Sequence, residues 1–431
     1  MKIVYITPGA GLTFYCQNCF RDNALLKSLI DLGHDVVRVP MYLPSNLDSG
    51  SKISGTPVFY GAINVYLKEK FPFYRNAPGW LERFFDSPFL LNIAAKKSGS
   101  TRAAGLEDMT LSMLHGEMGR QASELEHLIQ FLKNEIAPDV VHISNALLLG
   151  LAHKLKTDLG AKIVCSLQDE NEWVDLMDES YQEQVWNLMA KKAEDVDLFV
   201  TASRYYSKKS QKQLKIPEDK IEVVYGGICL DGYQRSSLPF DPPVIGYLCR
   251  MSEYFGLGIL VDAFIKLKKD GRSKDLRLFL TGGYSGDDKS FLNTQMKKIA
   301  QNGFESDVQI FKDFEKDSRV RFLKSLTLLS VPVPSGEAFG AYQVEALAAG
   351  VPVVQPNLGC YPEFIESTQG GVLYEPNTSE YLADAIAALL ADPEKVRNMS
   401  ERGHRVVLDQ FSMDTMAKNI ARIYDDIAKT R

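Results

Sequence analysis

The sequence predicts an α/β protein made of two doubly wound parallel sheets in tandem. Three observations predict it. The N-terminus runs strand, glycine loop, helix, strand, which is how a doubly wound sheet opens. The same alternation resumes at Asp139 and again at Val244. Between these runs, residues 236–243 are rich in proline and serine and carry no periodicity, as a linker does. A chain of 431 residues has room for two domains of ordinary size.

Met1 to Ile6 is apolar, and Pro8-Gly9-Ala10-Gly11 breaks the strand. Phe20 to Leu32 has helical periodicity, with Leu25, Leu26, Leu29 and Leu32 on one side. Gly33-His34 stops that helix, and Asp35 to Val39 is a second strand. Residues 43–105 are irregular and too aromatic to be disordered, so they read as an insertion in the first domain. One helix is expected from about Leu106 to Asn134. Strands follow at Asp139–Ile143, Lys162–Leu167, Leu198–Thr201 and Ile221–Tyr225, with helices over Ala146–Thr157, Ser180–Lys192 and Tyr205–Leu214 between them. The second run has strands at Val244–Leu248, Leu276–Leu280 and Val308–Phe311, with helices from Gly258 and Ser290. Ser379–Leu390 is helical, and Met413–Ala428 is amphipathic with Met416, Ile420, Ile423, Tyr424 and Ile427 on one stripe.

Composition excludes several classes. A net charge of −6 and a pI near 5.7 argue against broad nucleic-acid binding, which needs a basic face. No apolar run approaches the roughly 18 residues of a bilayer span, and the first strand begins at once, so a cytoplasmic protein is expected. The six cysteines are scattered and form no disulfide framework. Cys16 and Cys19 make one C-x-x-C, without the second ligand pair of a zinc site or a thioredoxin-like context, so a structural or loop-lining role is expected of them. No metal and no cofactor is expected.

The most informative stretch is Ser335 to Val354. Glu337 falls on a loop, Gly340 starts a helix, Glu345 lies one turn inside, and Gly350-Val351-Pro352 stops it before a short strand. Free N–H groups at Gly340, Ala341 and Tyr342 make such a helix end a phosphate site. Carboxylates on either side of it suit sugar hydroxyls, because they accept charge-assisted hydrogen bonds. A diphosphate with a sugar at each end fits this arrangement.

The pattern E-x(7)-E followed by E-A-x-A-x-G-x-P-V-V resembles the donor site of the retaining glycosyltransferases of family 4, the glycosyl transferases group 1. The resemblance covers most of the chain. It implies the GT-B fold, two Rossmann-like doubly wound domains with an interdomain cleft, here 1–235 and 244–411, with residues 412–431 crossing back as a last helix. It implies that Glu337 meets the transferred sugar and Glu345 the ribose, with Phe339 to Tyr342 beside them. Gly9 and Gly11 match the family's glycine turn. Arg250, in Tyr247-Leu248-Cys249-Arg250, matches the arginine that binds the donor diphosphate; its guanidinium fork suits a phosphate. A surface ion pair is the alternative for Arg250. Gly33-His34-Asp35-Val36, Tyr225-Gly226-Gly227-Ile228 and Phe411-Ser412 match further family segments.

Three positions depart from the family. The usual lysine after the arginine is Phe255. The H-x-H segment reads His142-Ile143-Ser144-Asn145, and T-x-H-D reads Ser166-Leu167-Gln168-Asp169. Ser144, Asn145, Gln168 and Asp169 offer hydrogen bonds to sugar or acceptor in place of the missing imidazoles. His142 is expected to be buried at a strand end, with direct function as the alternative. Arg21, in Arg21-Asp22-Asn23, either faces the acceptor or supplies first-turn charge. Asp195-Val196-Asp197 is expected to be a solvated loop.

The resemblance therefore implies a metal-independent, hexosyltransferase-like enzyme. It would move a sugar from a nucleotide-diphosphate sugar to a glycan, lipid or small-molecule acceptor, with Glu337 and Arg250 as catalytic residues. Inactive nucleotide-sugar binding, suggested by Phe255, is a second reading, and a phosphorylase or epimerase of the same fold a third. The aromatic insertion is a candidate acceptor platform, though core packing suits it better, and Leu90 to Lys97 a candidate membrane contact.

Overall fold

A computed structural model describes residues 1–8, 14–42 and 105–429. Gly9, Gly11 and nearly all of the aromatic insertion with Leu90 to Lys97 lie outside the described residues. By its contacts the chain divides into two compact units. The first holds Met1–Leu12, Asn18–Val224 and Ala417–Arg431; the second holds Thr13–Gln17 and Tyr225–Met416.

The first unit carries six parallel strands, β1 (Lys2–Thr7), β2 (Asp35–Pro40), β3 (Val140–Ile143), β4 (Lys162–Leu167), β5 (Leu198–Thr201) and β6 (Ile221–Val223), in the order β2-β1-β3-β4-β5-β6. β3 is buried at every position, as expected of a strand covered on both faces. Helix α1 (Gln17–Asp31) buries Leu25, Leu26 and Leu29. It begins three residues before Phe20, so Arg21-Asp22-Asn23 lie in its second turn and do not open it.

The single helix expected from Leu106 to Asn134 is instead α2 (Glu107–Leu114), a 3-10 turn at Gly116–Met118, α3 (Ala122–Phe131) and a π turn at Leu132–Ile136. The break has a steric cause. Gly116 is left-handed (φ +61°), and a Cβ there would lie 2.1 Å from the Gly150 carbonyl oxygen. Two backbones touch at this point, which only glycine allows. Gly150 itself lies in a 3-10 segment, Ala146–Leu151, which precedes α4 (Ala152–Leu159) where one helix was expected. The unit continues with α5 (Glu170–Val174), α6 (Glu179–Lys192) and α7 (Arg204–Leu214). Asp197 is no solvated loop residue: it accepts from the Ile163 amide and pairs with Lys156.

The second unit repeats the plan. Its strands are β7 (Val244–Leu248), β8 (Arg277–Thr281), β9 (Val308–Ile310), β10 (Leu328–Leu329), β11 (Val353–Pro356) and β12 (Gly371–Tyr374), all parallel, in the order β12-β11-β10-β7-β8-β9. Its helices are α8 (Leu257–Lys269), α9 (Lys289–Gln301), α10 (Lys316–Lys324), α11 (Ala341–Ala348), α12 (Tyr361–Thr368), α13 (Ser379–Leu390) and α14 (Pro393–Gln410). The last helix, α15 (Met413–Lys429), buries Met416, Ile420, Ile423 and Tyr424 of the expected stripe. Among the described residues no helix is long and apolar enough to cross a membrane.

The strand order reverses between β1 and β3 in the first sheet and between β7 and β10 in the second, with all strands parallel. In open α/β sheets ligands bind beyond the carboxyl ends of the strands at such switch points. Arg250 follows β7 by two residues, and Glu337 lies on the loop that leaves β10. Ser144 and Asn145 follow β3 directly.

Gly256 precedes α8 in a left-handed conformation (φ +73°), where a Cβ would lie 2.0 Å from the Pro332 carbonyl oxygen. Gly256→Ala is expected to destabilise the protein by about 2–3 kcal/mol, from left-handed strain and backbone displacement together. Urea unfolding monitored by circular dichroism measures it.

Candidate functional site

In the second unit, Glu337 and Glu345 bracket the start of α11 as the sequence suggested. Gly340, immediately before α11, is left-handed (φ +71°), and a Cβ on it would meet Glu337 Oε2 at 2.9 Å. Glycine therefore lets the helix start fold against the carboxylate. Glu337 is buried, and its Oε2 accepts from the Tyr342 hydroxyl at 2.6 Å. Tyr342 also shares a hydrogen bond of 2.6 Å with Tyr361. Burial, then Glu337 and Tyr361, pushes the Tyr342 hydroxyl well above its ordinary pKa, so it stays a proton donor. The Ala341 amide, one of the open N–H groups at the helix start, donates to Gln17 Oε1 at 2.7 Å. Gln17 Nε2 reaches Glu337 Oε1 at 3.4 Å. Phe339 is placed by packing: its ring stacks on Phe411 and lies against Gly226.

Glu345 is also buried, and three donors converge on it. Tyr15 donates to Oε1 at 2.8 Å; Tyr233 and Arg319 Nε donate to Oε2 at 2.5 and 2.8 Å. Burial alone would lower the Arg319 guanidinium, but Glu345, Tyr15 and Tyr233 raise it. Three strong donors keep this carboxylate satisfied where an unpartnered charge would cost several kcal/mol.

Arg250 is ion-paired. Its Nε donates to Asp288 Oδ2 at 2.8 Å, and its Nη2 to Asp288 Oδ1 at 3.2 Å and Ser285 Oγ at 3.0 Å. Burial works against the Asp288 carboxylate, yet the hydrogen bonds from Arg250 and Ser285 hold its pKa below the ordinary value. The guanidinium also lies over the Phe14 ring, 4.9 Å from its centroid. Phe255, in place of the family's lysine, is buried and gives its carbonyl to Tyr247.

The first unit gathers its own polar cluster beyond β1, β3 and β4. Asp22 is buried; Tyr5, Arg21 and Gln168 donate to its Oδ1 at 3.2, 3.2 and 3.3 Å. Burial raises the Asp22 carboxyl, against the opposing pull of Arg21. Ser144 is buried close to the end of β3, and its hydroxyl has no hydrogen-bond partner among the described residues. Asn145 caps the 3-10 segment, accepting from the Leu147 amide at 2.8 Å. Asp169 is left-handed (φ +56°), directly before α5. His142 is fully buried at a strand position: Nδ1 meets the Tyr424 hydroxyl at 2.6 Å and Nε2 the Ser166 hydroxyl at 2.8 Å. Burial lowers its pKa to about 3, so it is neutral near pH 7.

Sequence reasoning missed Tyr15, Gln17, Tyr233, Arg319 and Asp288. Asp288 had a local signal: Ser285-Gly286-Asp287-Asp288 is a capping box. It also missed a bond. Cys16 and Cys19 are disulfide-bonded and the other four cysteines form no disulfide. Cys16 directly precedes α1 and Cys19 lies in its first turn. The pair thus forms a disulfide at a helix start, a bond the sequence reading does not assign.

Two family descriptions match the sequence. "Glycosyl transferases group 1" matches residues 233–406, and "Glycosyltransferase Family 4" matches residues 109–231. Among curated proteins, D-inositol 3-phosphate glycosyltransferase of Nocardia farcinica is 27% identical over 193 residues, 43% of each chain. N-acetyl-alpha-D-glucosaminyl L-malate synthase of Bacillus anthracis is 30% identical over 131 residues, 28% of this chain and 34% of that one. The chain thus spans less than half the length of these relatives. Among solved structures, sucrose-phosphate synthase from Thermosynechococcus elongatus aligns over 100% of both chains with a TM-score of 0.76 at 16% identity. Anabaena HepE in complex with UDP aligns over 99% of this chain and 100% of its own, with a TM-score of 0.69 at 17% identity. At such identities these likenesses concern the fold.

Two outcomes follow from the buried ionisable groups. Arg319→Ala leaves Glu345 with tyrosine donors only and is expected to cost about 3–5 kcal/mol in urea unfolding. For His142, the unfolded chain takes up a proton near pH 6.5 and the folded one only near pH 3. Stability therefore falls as pH drops through that window, by up to about 1.4 kcal/mol per unit. Between pH 7 and pH 5 the wild type should lose about 2 kcal/mol more than His142→Gln, measured by urea unfolding at both pH values.

Proposed function

Because the chain belongs to the glycosyltransferases of family 4, group 1, with the GT-B fold, we propose that it transfers a sugar, with retention of configuration, from a nucleotide-diphosphate sugar to an acceptor hydroxyl. One observation carries this reading. At a single switch point, two buried carboxylates flank a glycine-started helix whose Ala341 amide already meets a polar oxygen. Glu337 holds the sugar, Glu345 holds the ribose, and the amides of Gly340 to Tyr342 take the diphosphate. HepE, a structural neighbour, is described in complex with UDP, which supports a nucleotide donor here.

Departure of a nucleoside diphosphate leaves positive charge at the anomeric carbon and negative charge on the phosphate. A site that stabilises both charges accelerates the reaction. The Glu337 carboxylate faces the sugar. Arg250 and the helix amides face the phosphate, so the protein itself supplies the positive charge and no metal ion is required. The leaving phosphate accepts the acceptor's proton as the new bond forms on the face it vacates. Ser144, Asn145, Gln168, Asp169 and Arg21 of the first unit are the proposed acceptor contacts, with His142 buried behind them as a positioning residue. Among glycan, lipid and small-molecule candidates we favour a small polar acceptor, a reading supported by the relatives named for D-inositol 3-phosphate and L-malate. We place the activity in the cytoplasm, where nucleotide sugars are made.

A second reading is a member that binds the donor without transfer. Phe255 removes one cation, and Asp288 neutralises much of the other. Assay of nucleotide-sugar turnover, by transfer or slow hydrolysis, separates the two readings. The enzyme reading expects turnover that resists EDTA and falls about 100-fold or more in Glu337→Gln. It also expects Arg250→Ala to weaken nucleoside-diphosphate binding about 10- to 100-fold, the worth of a charged hydrogen bond. Binding without turnover across a panel of sugar nucleotides favours the second reading. Unchanged kinetics in both variants would remove Glu337 and Arg250 from the mechanism.

A further inference from the structure

One short segment contacts Arg250, Glu337, Glu345 and the Ala341 amide, four of the groups to which a donor is assigned above. Residues 14–17 belong to the second unit by their contacts. The Phe14 ring covers the Arg250 guanidinium, 4.9 Å away. Tyr15 is buried, donates its amide to the Gly282 carbonyl at 2.7 Å and its hydroxyl to Glu345 at 2.8 Å. Gln17 accepts from the Ala341 amide at 2.7 Å and approaches Glu337 at 3.4 Å. An aromatic ring thus lies on the phosphate-binding cation, a phenol on the ribose carboxylate and an amide oxygen on the helix start. A carboxamide oxygen on a helix-start N–H is where a phosphate oxygen would otherwise be held.

The same segment carries the disulfide. Cys16 lies between Tyr15 and Gln17, and its bond to Cys19 encloses Gln17 in a four-residue ring. Both cysteines are partly exposed. A Cys-X-X-Cys at the start of a helix is the setting in which thiols react readily with disulfides. The ring restricts the backbone from Cys16 to Cys19 and so favours the conformation that presents Gln17 to the helix start.

Building on the donor-site reading, we propose that Phe14–Gln17 is an intramolecular plug of the donor pocket, latched by the Cys16–Cys19 disulfide and released by a dithiol. Release follows thiol–disulfide exchange. A thiolate of the reductant attacks one sulfur, the Cys16–Cys19 bond breaks, and a mixed disulfide forms. The second thiol of the reductant displaces it. The protein gains two electrons and two protons as two thiols, and the dithiol leaves as its own cyclic disulfide. The freed segment loses its preorganisation, so the fraction of molecules open to nucleotide rises, and apparent affinity rises with that fraction.

Isothermal titration with UDP, GDP and ADP tests this on the full chain. Four forms are compared: oxidised wild type, wild type reduced with dithiothreitol, Cys16→Ser/Cys19→Ser, and Gln17→Ala. The plug predicts that the last three bind at least one of these nucleotides about tenfold more tightly than the oxidised protein. Dithiothreitol should leave the double serine variant unchanged. Equal affinity in all four forms overturns the plug while leaving the donor site intact, and weaker binding in Gln17→Ala overturns it by making Gln17 part of the nucleotide site. Absence of binding in every form overturns the donor-site reading and the plug with it.

Discussion

Two carboxylates buried beside one helix start constrain the rest of the second unit. Each is buried, and each therefore needs donors that the fold must deliver to a fixed point. Glu345 draws Arg319 from α10, Tyr233 from the segment after β6 and Tyr15 from the N-terminal segment. Glu337 draws Tyr342 from α11, with Tyr361 of α12 behind it. Gly340 must lack a side chain because the Glu337 carboxylate lies 2.9 Å from where a Cβ would stand. Burying charge in this way does little for stability by itself, since replacing a buried ion pair by apolar residues is often neutral or favourable. Its effect is to fix the orientation of the carboxylates at the switch point where a ligand approaches.

Arg250 shows the same logic with the opposite sign. A guanidinium held by two hydrogen bonds to Asp288 and one to Ser285 cannot swing freely. A bidentate carboxylate uses the fork geometry that a phosphate would use. The pair therefore sets the position of the cation and, by the same contacts, limits the charge left for a phosphate. Phe255 adds no cation nearby. Whether such a site is fast, slow or silent depends on the balance between these two effects, so Phe255 and the Asp288 partner of Arg250 matter more than the residues that match the family.

The architecture was legible in the sequence because strand and helix periods differ and parallel strands are apolar on both faces. Lys162–Leu167, Leu198–Thr201, Val244–Leu248 and Ser379–Leu390 have the bounds that the sequence suggested. Glu337, Gly340 and Glu345 were legible because nine consecutive residues carry the loop, the cap and the first turn. The burial of His142 was legible from its place in an apolar strand. The break at Gly116 was not, because its cause is the backbone of Gly150, 34 positions away. Tyr15 and Gln17 were illegible for the same reason on a larger scale, since their partners at Glu345 and Ala341 lie 330 and 324 positions off. Local pattern shows which groups need partners; it does not show which distant residue supplies them.

That distinction bears on how the site discriminates. A ligand that enters a pocket whose polar groups already have protein partners gains only the difference between two sets of hydrogen bonds. At Glu345 the protein partners are a guanidinium and two phenols held as donors by burial, a strong set to replace. At the Ala341 amide the partner is one neutral carboxamide, a weak competitor for an anion. In the proposed donor site a diphosphate would therefore gain most at the helix start and least at Glu345. Selectivity in this unit should come first from charge at the phosphates, with the nucleoside contributing through shape and the smaller exchange of hydrogen bonds around Glu345.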